Sequence, residues 1–277
     1  MTLYNSIGAG YNNTRQPDLR IVEQLVSLLD LPPESTIADV GAGTGNYSNA
    51  IADRGHQVIA IEPSEVMQSQ RKPHDRVSWL TAAAEQIPLP DNSVDGVLVM
   101  LALHHFNDLS LGIEEIARIT KGKIVIFAFE PDKIPQFWLS DYFPYFLGDT
   151  SSSLSTQELA RSISQTTRQE VKTIPFLLPA NLSDLFAASG WCKPEIYLDA
   201  KVRSGISTFA KMPTYELNIG LERLAAEIDN GTWLQKYGHL LKLKNYDAGY
   251  RIMFSDILLH RFNGRFKLLR KPQKSRP

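Results

Sequence analysis

Between Thr36 and Phe129 short apolar runs alternate with amphipathic stretches, the order that predicts strands joined by crossover helices in a parallel sheet. Thr36 to Val40, Gln57 to Glu62, Val77 to Thr81, Asp95 to Met100 and Lys123 to Phe129 read as strands. Tyr47 to Arg54, Glu65 to Lys72 and Ser110 to Thr120 read as the helices between them, and Lys121-Gly122 as a turn into the fifth strand. A helix is predicted ahead of this unit over Leu19 to Leu29, with apolar residues at 21, 22, 25, 26, 28 and 29. It ends before Pro32-Pro33, which cannot continue it.

After Pro131 the pattern changes. Aromatic residues crowd Phe137 to Phe146, a Ser-rich turn spans Ser151 to Ser155, and a helix is predicted from Gln157. Asn181 to Ser189 reads as a helix capped by Gly190, Glu195 to Val202 as a strand, Tyr215 to Leu243 as a second helical insert and Tyr250 to Ser255 as a last strand. The expected organisation is a core with an N-terminal flap over 1–131, an aromatic helical cap insert over 132–180, the rest of the core with the second insert over 181–260, and a tail over 261–277. No internal repeat is present.

Composition narrows the class. The chain has 277 residues, 43% hydrophobic and 21% charged, which fits an ordinary globular protein with a sizeable core. Its net charge of -1 excludes an overall bias toward nucleic acid or membranes. The final seventeen residues carry seven basic and no acidic side chains, so the tail is locally basic. A single cysteine, Cys192, excludes an intrachain disulfide and a cysteine-rich zinc module and suits a reducing, cytoplasmic setting. No run approaches the roughly 18 apolar residues of a membrane span, and the first ten residues lack a basic segment followed by an apolar one. The expectation is a protein neither exported nor membrane-integral.

The strongest chemical signal is Asp39-Val40-Gly41-Ala42-Gly43-Thr44-Gly45, where a strand stops and a helix begins. Glycines there let the backbone bend sharply and approach a ligand, and the helix start offers unpaired N–H groups. Glu62 ends the next strand, where a carboxylate can accept hydrogen bonds from both ribose hydroxyls. A dinucleotide fingerprint wants a third glycine at position 46, which is Asn46, and no loop of the triphosphate-binding kind with its lysine is present.

The sequence resembles the class I S-adenosylmethionine-dependent methyltransferases, and within them the type 11 small-molecule group related to the ubiquinone/menaquinone C-methyltransferases. The likeness rests on Asp39 to Gly45, Glu62-Pro63-Ser64, Ala84-Glu85-Gln86-Ile87-Pro88-Leu89-Pro90-Asp91, Ser93-Val94-Asp95 and Leu103-His104-His105-Phe106. It implies a Rossmann-like, doubly wound α/β fold with a seven-stranded, mostly parallel sheet. Gly41, Gly43 and Asp39 would surround the methionine part of S-adenosylmethionine, and Glu62 would hold its ribose. Pro63 and Ser64 would sit near the adenosine, Ala84 and Glu85 would border the adenine, and Leu101 would reach the methionine moiety through its backbone. Tyr11 and Arg15 would belong to an N-terminal flap over the cofactor, with Arg15 pairing with its carboxylate. Many relatives place an acid one position before Ala84 to read the adenine amino group. Here that residue is Ala83, so packing and backbone groups must serve instead.

Methyl transfer from a sulfonium is an in-line displacement that needs no metal, and no nearby His/Asp/Glu set shows ligand spacing. His104 and His105 follow the fourth strand on the ligand-facing edge. There one imidazole could take a proton or orient a substrate; adjacent histidines in an extended segment point to opposite sides, and His105 is the candidate base. A structural role under the cap is equally compatible. His104, Trp138, Tyr142 and Phe143 are candidate substrate contacts, with Trp233, Tyr237, Tyr246 and Tyr250 as further wall, although aromatic runs also pack cores. Nucleic-acid amino-methyltransferases of this fold usually carry an Asp/Asn-Pro-Pro-Tyr/Phe run after the fourth strand. Met100-Leu101-Ala102-Leu103 stands there instead, so a small-molecule acceptor is expected, with S-adenosylhomocysteine as the second product and no nucleic-acid partner. Two alternatives stay open: a nicotinamide-dependent oxidoreductase, and a regulatory protein that binds S-adenosylmethionine or S-adenosylhomocysteine without turnover.

Overall fold

The computed structural model describes residues 10–149 and 154–256. Helix α1 (Leu19–Leu29) leads into β1 (Thr36–Val40), α2 (Asn46–Ala52), β2 (Gln57–Ile61), α3 (Glu65–Gln68), β3 (Val77–Leu80), β4 (Val94–Met100), α4 (Leu109–Ile119) and β5 (Thr120–Phe129). The second half runs α5 (Leu139–Tyr142), α6 (Tyr145–Asp149), α7 (Thr156–Thr167), β6 (Glu170–Pro175), β7 (Leu178–Pro179), α8 (Ala200–Ser204), α9 (Ser207–Lys211), α10 (Thr214–Asp229), α11 (Thr232–Tyr237), β8 (Asn245–Tyr246) and β9 (Tyr250–Asp256). Seven strands form one sheet in the order β3-β2-β1-β4-β5-β9-β6, and β7 pairs with β8 separately. Strand β9 runs antiparallel to both its neighbours, while β1 to β5 are parallel.

Alternation along the strands explains the layering. Ile37, Leu98, Val125, Phe127 and Ile252 point to one face, under α1, α2 and the cap. Ala38, Val40, Val97, Val99, Ile124, Ile126 and Met253 point to the other, under α4 and α7. Both faces are buried, so the strands read as near-continuous apolar runs. Asp18 and Asp108 cap α1 and α4 by accepting from the backbone N–H of Arg20 and Leu111. Chain order reverses between β1 and β4, and the crevice at the carboxyl ends of those strands is where such sheets bind ligands.

Several predicted elements are corrected. Helix α3 stops at Gln68 instead of Lys72. Pro73 disfavours helical backbone at Lys72, and both the carbonyl and the side chain of Gln70 are taken by Asn12 and Gly10. Residues 181–189 are not helical. Leu182, Asp184, Phe186 and Ala188 are buried in alternation, and the segment pairs with the N-terminal stretch: Arg15 bridges Asp184, and Leu185 N–H donates to Thr14 O. The stretch 195–202 is a 3-10 turn (Pro194–Leu198) followed by α8, with Asp199 accepting from Lys201 N–H to start the helix. The sheet takes its edge strand instead from Glu170–Pro175, within the segment read as the cap insert. The basic tail, and residues 151–153 of the predicted Ser-rich turn, lie outside the described residues. None of the described helices is long and apolar enough to cross a membrane.

Candidate active site

The loop after β1 turns through Gly41 and Gly43, at φ +77° and +59°, where an L side chain is strained. A Cβ on Gly41 would also come within 2.4 Å of the Ala102 Cβ, so the β1 and β4 loops touch only because that side chain is missing. Gly41 and Ala42 N–H donate to Ile61 O. Gly43 N–H and Ser64 N–H donate to the two carboxylate oxygens of Glu62 at 2.9 and 2.8 Å. Burial raises the Glu62 pKa, against those two donors. A carboxylate has about four acceptor positions, so roughly one per oxygen is left over. Asp39 lies beneath the loop, where Oδ2 accepts from Ser48 Oγ at 2.6 Å and Oδ1 has no partner among the described residues. Burial, with Glu62 nearby, pushes its pKa up to about 6.

A hollow of about 340 Å³ opens over this loop. Of the predicted cofactor residues, Tyr11, Gly41, Gly43, Glu62, Pro63, Ala84, Glu85 and Leu101 line it, with His104 and His105. Asp39 and Ser64 do not: Ser64 is fully buried and caps α3 by accepting from Met67 N–H. Glu85 Oε1 accepts from the backbone N–H of Asn107 and Asp108, so it also fixes the turn into α4. Met67, in α3, and Ala102, after β4, also line the hollow and were missed, since an apolar residue by itself carries no sequence signal for a ligand. Leu101 holds φ +51°, a conformation costly for a branched side chain and typical of functional sites. Its N–H donates to Phe127 O at 2.8 Å.

A second hollow, of about 370 Å³, shares Tyr11, Leu101 and His104 with the first. Phe129, Ile134, Phe146, Phe186, Ile206 and Tyr250 give it an apolar wall, and Arg15, Asp149, Thr208 and Lys211 a polar one. A third, of about 200 Å³ and mostly apolar, also meets Leu101 and His104.

Arg15 is thus placed differently from its predicted pairing with the cofactor. It lines the second hollow, and its Nε and Nη2 donate to Oδ1 and Oδ2 of the fully buried Asp184 at 2.5 and 3.3 Å. The N-terminal segment is also stitched to the glycine loop. Asn12 Oδ1 accepts from Thr44 Oγ1 and Asn46 Nδ2, both at 2.6 Å, and Asn46 Nδ2 also donates to Arg15 O.

His104 and His105 lie in a 3-10 turn (Leu103–His105), not an extended segment. The two rings are therefore not on opposite sides. Their centroids are 3.8 Å apart, both line the first hollow, and His104 alone of the pair reaches the second. Burial, then the charge of Lys211, brings the His105 pKa down to about 4. Burial, then His105, holds His104 well below the usual histidine range. The His104 residue is nonetheless exposed where it lines the hollow, which tempers the effect without changing its direction. Both imidazoles are neutral near pH 7.

Trp138, Tyr142 and Phe143 are corrections: each is buried away from all three hollows. Trp138 Nε1 donates to Trp191 O at 2.8 Å, and Tyr142 OH donates to Glu227 Oε2 at 2.6 Å. The Phe143 ring fills the space that Gly220 leaves and meets Phe209 edge to face. Helix α5 turns these rings toward α10 and α11, away from the sheet edge. Phe146, one turn on, reaches the second hollow; of the four further aromatics only Tyr250 does.

A sequence family described as a methyltransferase domain matches residues 38–127. A protein of Anabaena variabilis, described as a methyltransferase from an antibiotic biosynthesis pathway and solved at 2.40 Å, is 46% identical. The match covers 88% of this chain and 99% of that one, with a TM-score of 0.86. An uncharacterized methyltransferase of Mycobacterium tuberculosis is 29% identical over 160 residues, covering 56% of this chain and 65% of that protein. The demethylmenaquinone methyltransferase of Corynebacterium glutamicum is 33% identical over 111 residues, covering 39% and 48%. The chain spans less than two thirds of the length of these two curated relatives. It belongs to the class I S-adenosylmethionine-dependent methyltransferases. That membership sets aside the nicotinamide-dependent oxidoreductase.

Proposed function

We propose that this protein transfers the methyl group of S-adenosylmethionine to a small-molecule acceptor bound in the 370 Å³ hollow. The observation that carries the reading is the junction at Tyr11, Leu101 and His104, three residues that line both the hollow over the glycine loop and a second one of ligand size. The residues fit the cofactor: Gly41 and Gly43 form a cradle that a Cβ would fill, and Glu62 keeps acceptor capacity facing the hollow. Glu62 would take the ribose hydroxyls and the Ala83-Ala84 segment would pack the base. Beneath the loop, Asp39 supplies negative charge toward the methionine end. When bound, S-adenosylmethionine supplies an electrophilic methyl on a sulfonium.

The chain's contribution is placement. An in-line displacement gains most from holding the two reacting atoms at contact distance in one orientation. Leu101 stands between the hollows, and its strained backbone sets how close the two ligands come. Neutral His104 can accept a proton or a hydrogen bond from the acceptor's nucleophile, while apolar Phe129 and Phe146 keep water from the junction.

Calorimetric titration of protein stripped of co-purified ligand tests the reading. Micromolar binding of S-adenosylmethionine and S-adenosylhomocysteine, with none of NADH, supports it, and the reverse pattern overturns it. Transfer of labelled methyl to any member of an acceptor panel separates an enzyme from a non-catalytic binding protein.

A further inference from the structure

The polar wall of the second hollow carries two cationic side chains, Arg15 and Lys211, each paired with a carboxylate. Asp149 Oδ1 accepts from Lys211 Nζ at 2.9 Å and Oδ2 from Thr208 Oγ1 at 2.7 Å. Behind Arg15, Asp184 accepts two guanidinium donors and Tyr47 OH at 3.1 Å. Asp149 itself lines the hollow, with one protein donor on each oxygen, whereas Asp184 lies behind Arg15. An ammonium carries three donors, and the described residues engage Lys211 Nζ only through Asp149. The Lys211 side chain is 31% exposed, at the hollow's rim. Lys211, Arg15 and Asp149 line the same hollow as His104. The opposite wall carries the aromatic side chains of Phe129, Phe146, Phe186 and Tyr250.

Resting on the reading of this hollow as the acceptor's, we propose that the acceptor is an amphipathic molecule carrying an anionic oxygen group, of the carboxylate or phenolate type. Lys211 binds that group while the apolar body lies between Phe129, Phe146 and Tyr250. Lys211 is then a specificity-determining residue. An anion takes up donors that Asp149 leaves on the partly exposed ammonium, without unpairing Asp149.

The test uses a matched pair of fluorescent probes, 1-anilinonaphthalene-8-sulfonate and the uncharged N-phenyl-1-naphthylamine, which share a ring system and differ in the anion. They are titrated into wild-type, Lys211→Met, Lys211→Arg and Ala187→Trp proteins, each also titrated with S-adenosylhomocysteine. One charge-assisted hydrogen bond corresponds to roughly a ten- to hundredfold change in affinity. The expected result is that loss for the sulfonate in Lys211→Met, recovery in Lys211→Arg and an unchanged neutral probe. In Ala187→Trp, where the indole fills the hollow, both probes should be lost. An equal effect of Lys211→Met on both probes, no effect on the sulfonate, or full sulfonate binding in Ala187→Trp overturns the proposal. Failure of the wild-type protein to bind S-adenosylhomocysteine would count against the methyltransferase reading, and leaves the probe result to judge Lys211 alone.

Discussion

Arg15 and Asp184 form a buried ion pair whose two halves should respond differently to loss. Their side chains are 11% and 1% exposed, and they meet at 2.5 Å. Replacing Asp184 by Leu leaves a guanidinium inside the protein, with Tyr11 OH and the Gly205 carbonyl among the acceptors it keeps. Arginine cannot lose its proton, so the charge stays, and breaking a buried pair from this side costs about 3–5 kcal/mol. Arg15→Met leaves the carboxylate instead. Burial already raises the Asp184 pKa and Arg15 holds it down, so removing Arg15 raises it further until the group takes a proton. Protonation caps the loss at about 1.4 kcal/mol per unit between the new pKa and ambient pH. The sign follows from which state holds the proton. With the folded pKa above the unfolded value near 3.8, the native state binds more protons between them, so acidification through that window stabilises it. Urea unfolding at pH 7 and pH 5 should show Asp184→Leu destabilised by about 3–5 kcal/mol at both pH values. Arg15→Met should lose less, and less again at pH 5, and the double variant should lie within about 2 kcal/mol of wild type. A cost under about 1 kcal/mol in both single variants, or an Arg15→Met cost that does not shrink with acid, would refute the argument.

Three further outcomes are expected. Glu62→Gln puts an amide NH2 against a backbone N–H of Gly43 or Ser64, so affinity for S-adenosylhomocysteine should fall at least about tenfold in calorimetry; unchanged affinity would remove Glu62 from the cofactor site. Asn12→Ala removes the acceptor shared by Thr44 and Asn46 and leaves Asn46 only its bond to Arg15 O, so amides of residues 10–16 should exchange with deuterium faster, and identical protection would show that the stitch does not hold the segment. In a histidine NMR titration His105 should change near pH 4, with no midpoint near 6.5. Because its folded pKa lies below the unfolded one, the unfolded state gains the proton first, and this group's share of stability is lost as pH falls from about 6.5 to 4.

What the sequence made legible was whatever a local pattern controls. The five parallel strands, Gly41, Gly43 and Glu62 were readable because strand periodicity, sharp turns and a strand-end carboxylate are each set within a few residues. The second hollow was not, since Arg15, Phe129, Asp149, Phe186 and Lys211 come from five separated segments with no spacing among them. The aromatic cluster at 137–146 misled because composition reports that rings are buried, not which side of a short helix they leave from: Trp138, Tyr142 and Phe143 went into the core and Phe146 to the hollow. Residues 181–189 failed for a related reason, their helical propensity being outbid by hydrogen bonds to residues some 170 positions earlier.

Asn46 shows both limits at once. Read along the chain it is the missing third glycine, and that absence points away from a dinucleotide. In the structure its amide donates to Asn12 Oδ1 and Arg15 O, so the position is filled by a residue that joins the glycine loop to the segment carrying Tyr11 and Arg15. A glycine there would keep the turn and lose that connection. The same residue thus decides which ligand the loop does not suit and ties down Tyr11 at the meeting of the two hollows. One residue beyond Asn46 in the same helix, Tyr47 OH donates to Asp184, the partner of Arg15. Helix α2 therefore holds the N-terminal segment at two points, and a change at either should be felt first in the affinity for the cofactor, whose hollow Tyr11 lines.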